Sequence, residues 1–463
     1  MFFESFMLNL TVILVLIIAL TFDYVTKFFS YWYVRHIPNN TPVPFFGTDY
    51  LRVLGLRSNT EDVNILYSQH PKEMFVGSVK SRIPDLIVKD PDAIKTILST
   101  GFANFHRRGL ALDKSRDVCI RNNLFYAEGE KWTLLRKGLE TILNDLKLES
   151  EDSLHDCLSG TNGDTNVQQL LSEVLDVIFK DLLLGQKSDG AAITRLRSAL
   201  QKRTFGEKLK TYFKYVFPSL FTLFRMATIS GEPSSMTKKD VESSKLLTKI
   251  KNANIFEMGL KEKNKNMRMN NTDFAYAVLS NFITEGYIPC LNLLTAHLHD
   301  LAMNKEVQEK ARASEHYLEA TIKESLRLHP PYSTTTRQCV KMYHYPQTRL
   351  VIDRNVTINV PIEAIHRDEK YFADANKYIP DRFLATDNNP EQTFAYLPFG
   401  VGPRKCIGER LSLDIIRCVS KLILQKYQLE PCAATPQQLS MADQSFGRVV
   451  DRDIWLRFNP ISS

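Results

Sequence analysis

Phe399-Gly-Val-Gly-Pro-Arg-Lys-Cys-Ile-Gly408 is the stretch on which the reading of this chain turns. It sets Phe399, Gly402, Arg404, Cys406 and Gly408 at fixed offsets around one thiol. From average residue usage, such a combination arises by chance in roughly one in ten thousand chains of this size. Immediately downstream, Leu411, Ile415, Cys418 and Leu422 share one face, the pattern of a half-buried helix. A helix that begins at the cysteine directs its N-terminal dipole at the sulfur and favours a thiolate. The plainer reading, a buried cysteine in a glycine-rich turn, has to be weighed against what surrounds the run.

Upstream, Glu324-Ser-Leu-Arg327 lies in a helical stretch ended by Pro330-Pro331. Glu and Arg three apart share a helix face and can pair. Arg382 follows in Pro380-Asp-Arg-Phe383, and Arg337 comes just after the proline break. Trp132 and Arg136, four apart, point the same way from a helix. Together with the thiol run, these motifs resemble the cytochrome P-450 family, and the resemblance covers nearly the whole chain. The fold it implies is mainly α with a minor β-sheet. It consists of a membrane anchor and basic flank (1–36), a proline-rich hinge (37–47) and one large catalytic domain (48–463).

The resemblance also assigns roles. Cys406 is the axial thiolate of haem b (iron protoporphyrin IX), a ligand that pushes electron density onto iron and favours O–O cleavage. Gly402 and Gly408 let the main chain approach a flat macrocycle and aim N–H groups at the sulfur. Phe399 covers the sulfur, and Arg404, Trp132, Arg136 and Arg337 hold the propionates, for which arginine's fork suits better than lysine. Glu324, Arg327 and Arg382 form a buried bracing network that does not touch substrate. Substrate contacts are expected from Arg108–Ile120, Phe282–Pro289, Ser333–Thr336 and Ser445–Val450. The implied reaction inserts one oxygen atom from O₂ into an apolar xenobiotic, hormone or lipid. Electrons come from NADPH through NADPH-cytochrome P-450 reductase, a flavoprotein, with cytochrome b5 as a further donor. Lys405, Arg410, Arg417 and Lys421, with Lys137, offer a basic patch for an acidic reductase, or simply a solvated face. Pro84–Pro91 and Phe102–Gly109 are similar to insect microsomal members of the family.

The distal helix departs from the family pattern of a small residue, Gly, any residue, an acid and Thr. Here the chain reads Glu285-Gly-Tyr-Ile-Pro289, so Ile288 and Pro289 stand where the acid and alcohol are expected. Proline preserves a helix break but cannot donate a proton. Glu285 and Thr284, about a turn earlier, remain as candidates for moving protons by way of water. Poor coupling is therefore expected. The alternatives are a peroxide- or hydroperoxide-using haem-thiolate enzyme and a degenerate haem-binding protein. From Glu285 to Glu324 there are only 39 residues (324 − 285), shorter than the family usually shows.

The N-terminus points to a membrane. Ser5–Phe22 carries no charge, about the ~18–20 residues a helix needs to span a bilayer. Lys27, Arg35 and His36 follow it, which predicts a cytosolic catalytic domain on the endoplasmic reticulum. A cleaved signal peptide is the rival, but no basic n-region or small-residue cleavage site is present. Pro38, Pro42 and Pro44 stiffen the connector that follows. Apolar residues crowd Lys210–Met226, either a loop entering the bilayer or core helix.

Composition sets the outer bounds. The formal charge of +7 over 463 residues favours anionic membranes or acidic partners, and no Lys/Arg block interleaved with aromatics suggests nucleic acid. Seven cysteines without a CxxC pair fit a reducing compartment with no disulfide framework or zinc site.

Overall fold

A computed structural model describes residues 6–43, 46–80, 83–109, 123–148, 151–185, 191–201, 209, 213, 244–252, 271–346, 348–385, 391, 393–444 and 447–461. The expected loops at 110–122, 210–212, 214–226 and 445–446 lie outside the described residues.

Helix α1, Phe6–Ser30, is exposed along most of its length, with Tyr24 and Phe29 packed against the sheet-side core. Its segment Phe6–Val25 is 20 residues long, has a mean hydropathy of 2.3 and is 0% buried, long and apolar enough to cross a membrane. Just beyond it the chain is fastened to the domain. Trp32 is 1% exposed and its indole N–H donates to the Ser78 carbonyl at 2.7 Å. Gly77 makes room for that ring, since a Cβ there would sit 2.5 Å from it. The hinge is also docked: the Gly77 N–H donates to the Pro38 carbonyl at 2.8 Å.

The main sheet has four strands in the order β1-β2-β4-β3. They are β1 Phe75–Lys80, β2 Ile83–Val88, β3 Thr335–Gln338 and β4 Thr357–Val360. Strands β1 and β2 form an antiparallel hairpin, Phe75 opposite Val88 and Lys80 opposite Ile83. Asp90 caps the next helix by accepting from the amides of Asp92 and Ala93, with Pro91 at its first position. The end of the chain, Trp455–Pro460, pairs with Tyr427–Pro431 and with Gly163–Asn166, a short strand inside the stretch whose periodicity reads as helical.

Helices form the larger body: α2 Gly129–Asn144, α3 Val167–Phe179, α4 Asn271–Phe282, α5 Ile288–Met303, α6 Glu315–Leu328 and α7 Glu409–Lys426. They share one apolar core, and the sheet side has a second around Phe75, Leu86, Ile97 and Ile358. The connection between α5 and α6 is direct. Between α5 and α6 lies one helix, Lys305–Ala313, set off by the single residues Asn304 and Ser314. Gln308 is fully buried, its amide donating to the carbonyls of Leu301 and Leu429, so the short path is packed into the core.

Candidate active site

Between α4–α5, the Phe399–Gly408 loop, α2 and β3 lies a cavity of about 690 Å³, in the upper part of the ~300–1,000 Å³ range of small-molecule sites. Its wall is mostly apolar, with Phe179, Val278, Phe282, Leu293 and Ile415 among the lining residues.

Cys406 lies on one wall. The loop holds it through its own N–H, which donates to the Phe399 carbonyl at 2.9 Å, while the Lys405 N–H donates to Gly402 at 2.9 Å. Gly402 has a φ of +74°, and a Cβ there would lie 2.0 Å from the Leu98 carbonyl oxygen. Its glycine is needed to seat the loop on residues 96–100, and Gly402 itself does not line the cavity. Gly408 does line it, and the space would admit a Cβ. Burial pushes the Cys406 thiol up, and the Gly408 amide opposes that. Phe399, Trp132, Arg136, Arg337 and Arg404 all line the same cavity.

The arginines differ in how well they are satisfied. Arg136 bonds Glu140 at 2.6 Å and the Lys405 carbonyl at 2.7 Å. Arg404 donates to the carbonyls of His106 and Ala127, each at 2.7 Å, with its guanidinium 4.8 Å from the Trp132 ring centre. Burial brings Arg404 down to about 9, helped by the positive charge of Arg108. Arg337 is 2% exposed; it donates to the Thr336 carbonyl at 2.8 Å and its Nε has no partner among the described residues. Burial pushes it well down, with Arg108 and Arg404 adding to the effect. Arg108, which the sequence offered only as the start of a substrate loop, completes this trio. Its Nε is also without a partner among the described residues, and its guanidinium lies 3.9 Å over the Phe125 ring. Two buried cations and the partly buried Arg108 crowd one wall with no salt bridge to an acid among the described residues, a surface whose chemistry suits an anionic group.

Opposite, the distal helix changes pitch. Residues Ile283–Tyr287 form a π-helical turn closed by the Ile288 N–H on the Ile283 carbonyl. Pro289, in the first turn of α5, has no N–H for the Glu285 carbonyl, which accounts for the break. Glu285, Gly286, Pro289 and Cys290 line the cavity; Ile288 and Thr284 do not. Thr284 is 1% exposed and its hydroxyl donates to the Ser280 carbonyl at 2.9 Å, so it is committed to its own helix. The two proton-handling candidates are therefore not brought together. Glu285 instead accepts a hydrogen bond from the hydroxyl of Tyr332, a residue just before β3 that sequence spacing did not single out.

Away from the cavity, Glu324 and Arg327 form a two-pronged pair, both contacts 2.8 Å, and Arg382 reaches Glu324 at 3.2 Å. None of the three lines the cavity. The expected basic patch is largely cancelled by acids. Arg417 bonds Glu319 at 2.9 Å and Asp414 at 2.8 Å, and Lys405 and Lys421 pair with Glu409 and Glu315. Arg410 donates to the carbonyls of Leu143 and Asn144 that end α2.

With the helical body, small sheet and thiol-bearing cavity in place, comparison with known proteins gives the class. The sequence model of the cytochrome P-450 family matches residues 38–455. The chain belongs to the cytochrome P-450 family, whose members are monooxygenases carrying a haem with a cysteine thiolate ligand. Among its relatives, cytochrome P-450 6B2 of Helicoverpa armigera is 27% identical, covering 94% of this chain and 95% of its own length. Cytochrome P-450 6B1 of Papilio polyxenes is 26% identical over 92% of this chain and 94% of its own length. Probable cytochrome P-450 6d5 of Drosophila melanogaster is also 26% identical, over 90% and 93%. The expected likeness to insect members stands.

Proposed function

We propose that this chain is a microsomal haem-thiolate monooxygenase that oxidises an apolar small molecule, with Cys406 as the axial ligand. The observation that carries the reading is the pairing of two features on one cavity: the Cys406 thiol, and three arginines, two of them buried, that make no salt bridge among the described residues. Haem fits both, because its iron takes a thiolate and its two propionates are the anions that wall lacks. When bound, the group supplies dioxygen activation and oxygen transfer. The residues do the rest. Arg337, Arg404 and Arg108, with Trp132 and Arg136, hold the propionate side. The Phe399–Gly408 loop fixes the sulfur, and the apolar wall excludes water from the substrate. Glu324, Arg327 and Arg382 hold the segment 366–382 that precedes the loop.

Electrons from NADPH arrive through a flavoprotein reductase on the face of α7. With three of its five basic residues paired to acids, that face steers an acidic partner weakly. The division into anchor (1–36), hinge (37–47) and catalytic domain (48–463) places α1 in the endoplasmic reticulum membrane and the cavity on the cytosolic side. A second reading, use of peroxide in place of dioxygen, is favoured by one observation: neither Ile288 nor Thr284 presents a polar group to the cavity. Product formed with NADPH and reductase supports the first reading, and product formed only with peroxide supports the second.

The deciding experiment is the carbon-monoxide difference spectrum of the reduced, purified chain. The long-wavelength Soret band of thiolate ligation is expected, and it is lost in Cys406→Ala. An unaltered spectrum in that variant would overturn the assignment of the ligand.

A further inference from the structure

The distal wall carries one polar group that nothing above employs. Glu285 lines the cavity, and one of its carboxylate oxygens accepts the Tyr332 hydroxyl. Its other oxygen accepts no hydrogen bond among the described residues and is not sealed away from the cavity. The neighbourhood is otherwise apolar, with Phe125, Phe179 and Phe282 on the same lining; burial pushes the Glu285 carboxyl up, while the Tyr332 hydroxyl and the Arg108 charge hold it down. A carboxylate oxygen left without a donor in such a space is costly, and the cost is removed by any ligand that donates to it.

The charges around it restrict what that ligand can be. The unpaired cations on the lining are Arg108, Arg337 and Arg404, while Arg136 is matched by Glu140 and neighbouring Arg107 by Glu128 at 3.3 Å. At the far end of the cavity Lys80 is matched by Asp85 at 3.0 Å and Arg448 by Glu363 at 2.6 Å. Two haem propionates and the Glu285 carboxylate balance the three cations. A charged substrate would then bring in a buried charge with no counterpart, a penalty of several kcal/mol. A neutral one with an N–H or O–H would satisfy the open oxygen and leave the balance intact.

We propose that Glu285, positioned by Tyr332, is the specificity-determining acceptor of this site, and that its substrates are neutral, largely apolar molecules bearing a hydroxyl or amide N–H. The inference rests on the haem reading above, through the propionates in the charge count. It adds a substrate class and gives Tyr332 a role as a positioning residue.

The test is calorimetric titration of the full-length, haem-loaded chain in detergent. The four probes share one skeleton: 1-adamantanol, its methyl ether, adamantane-1-carboxylate and 1-adamantyltrimethylammonium. The alcohol is expected to bind on the order of 10- to 100-fold tighter than the ether, as for a hydrogen bond to a charged acceptor, and tighter than either ion. In Glu285→Leu the alcohol and ether should bind within about 3-fold of each other. Haem content and a melting curve report whether that variant is folded. If it is not, Glu285→Gln takes its place, with a reduced contrast expected from the weaker neutral acceptor. Equal binding of alcohol and ether by the native chain overturns the proposal, as does tighter binding of either ion. A chain that takes up no haem fails the functional reading before any titration. A haem-loaded chain indifferent to the donor fails this inference alone.

Discussion

Two groups of buried arginines in this molecule are built on opposite terms. Around Glu324 the contacts of Arg327 are all closed, and a single Arg382 nitrogen is left without a partner among the described residues. Arg327 is 0% exposed and bonds both Glu324 oxygens, the carbonyls of His366 and Ala375 at 2.6 Å each, and that of Lys377 at 3.0 Å. The Ile379 N–H and Arg382 add further donors to the same carboxylate. Around Arg337 the contacts stay open: Nε has no partner among the described residues, and the nearest charges that act on it are two more arginines. A closed network serves the fold, because its charges answer one another. An open one at a cavity wall is completed by something the polypeptide does not supply.

The largest effect that separates the two groups should come from Glu324→Ala. It strands Arg327 and Arg382 and should cost about 3–5 kcal/mol, the range for breaking a buried pair. Urea unfolding of the haem-free chain measures it, and an unchanged midpoint would dissolve the contrast. Next in size, Arg337→Met removes a buried cation that has no acid. The haem-free protein should be as stable as the parent or more so, by roughly 1–2 kcal/mol. The loaded protein should lose haem to apomyoglobin on the order of ten times faster. A loss of stability in the haem-free form would mean that the arginine wall also serves the fold.

A further effect concerns pH. His366 is buried beside the closed network; its Nε2 accepts from the Leu397 N–H at 2.9 Å and its Nδ1 donates to the Arg327 carbonyl at 3.0 Å. Burial brings it down to about 3, below its ordinary value near 6.5. The folded state therefore holds the ring neutral while the unfolded chain protonates it. Its contribution is complete above about pH 6.5 and falls toward pH 3, by up to about 1.4 kcal/mol per pH unit. Melting temperature should drop as pH is lowered through that window, less steeply in His366→Asn. Equal slopes for the two proteins would remove His366 from the acid response.

Much of this was legible in the residues themselves. The Phe399–Gly408 run, the amphipathic α7 and the apolar α1 are local patterns, and a pattern that depends on near neighbours can be read from spacing. The strand at Gly163–Asn166 could not be, because its four residues pair with Trp455–Phe458 at the far end of the chain. The basic patch was left open by the sequence for a related reason. Lysines and arginines can be counted on α7, but Glu315 and Glu319, which answer two of them, sit on α6. Thr284 was a reasonable candidate by position, until its helix turned the hydroxyl onto Ser280.

The sequence alone determined the family, the thiol and the membrane-length helix, since each is written in contiguous residues whose chemistry does not wait for packing. Only the tertiary structure decided which polar groups remain unanswered. It gathered Arg108, Arg337 and Arg404 on one wall, set Tyr332 against Glu285, and closed the Glu324 network away from the cavity. Burial and partnership depend on segments distant in the chain meeting in space, and spacing along one segment carries no record of that.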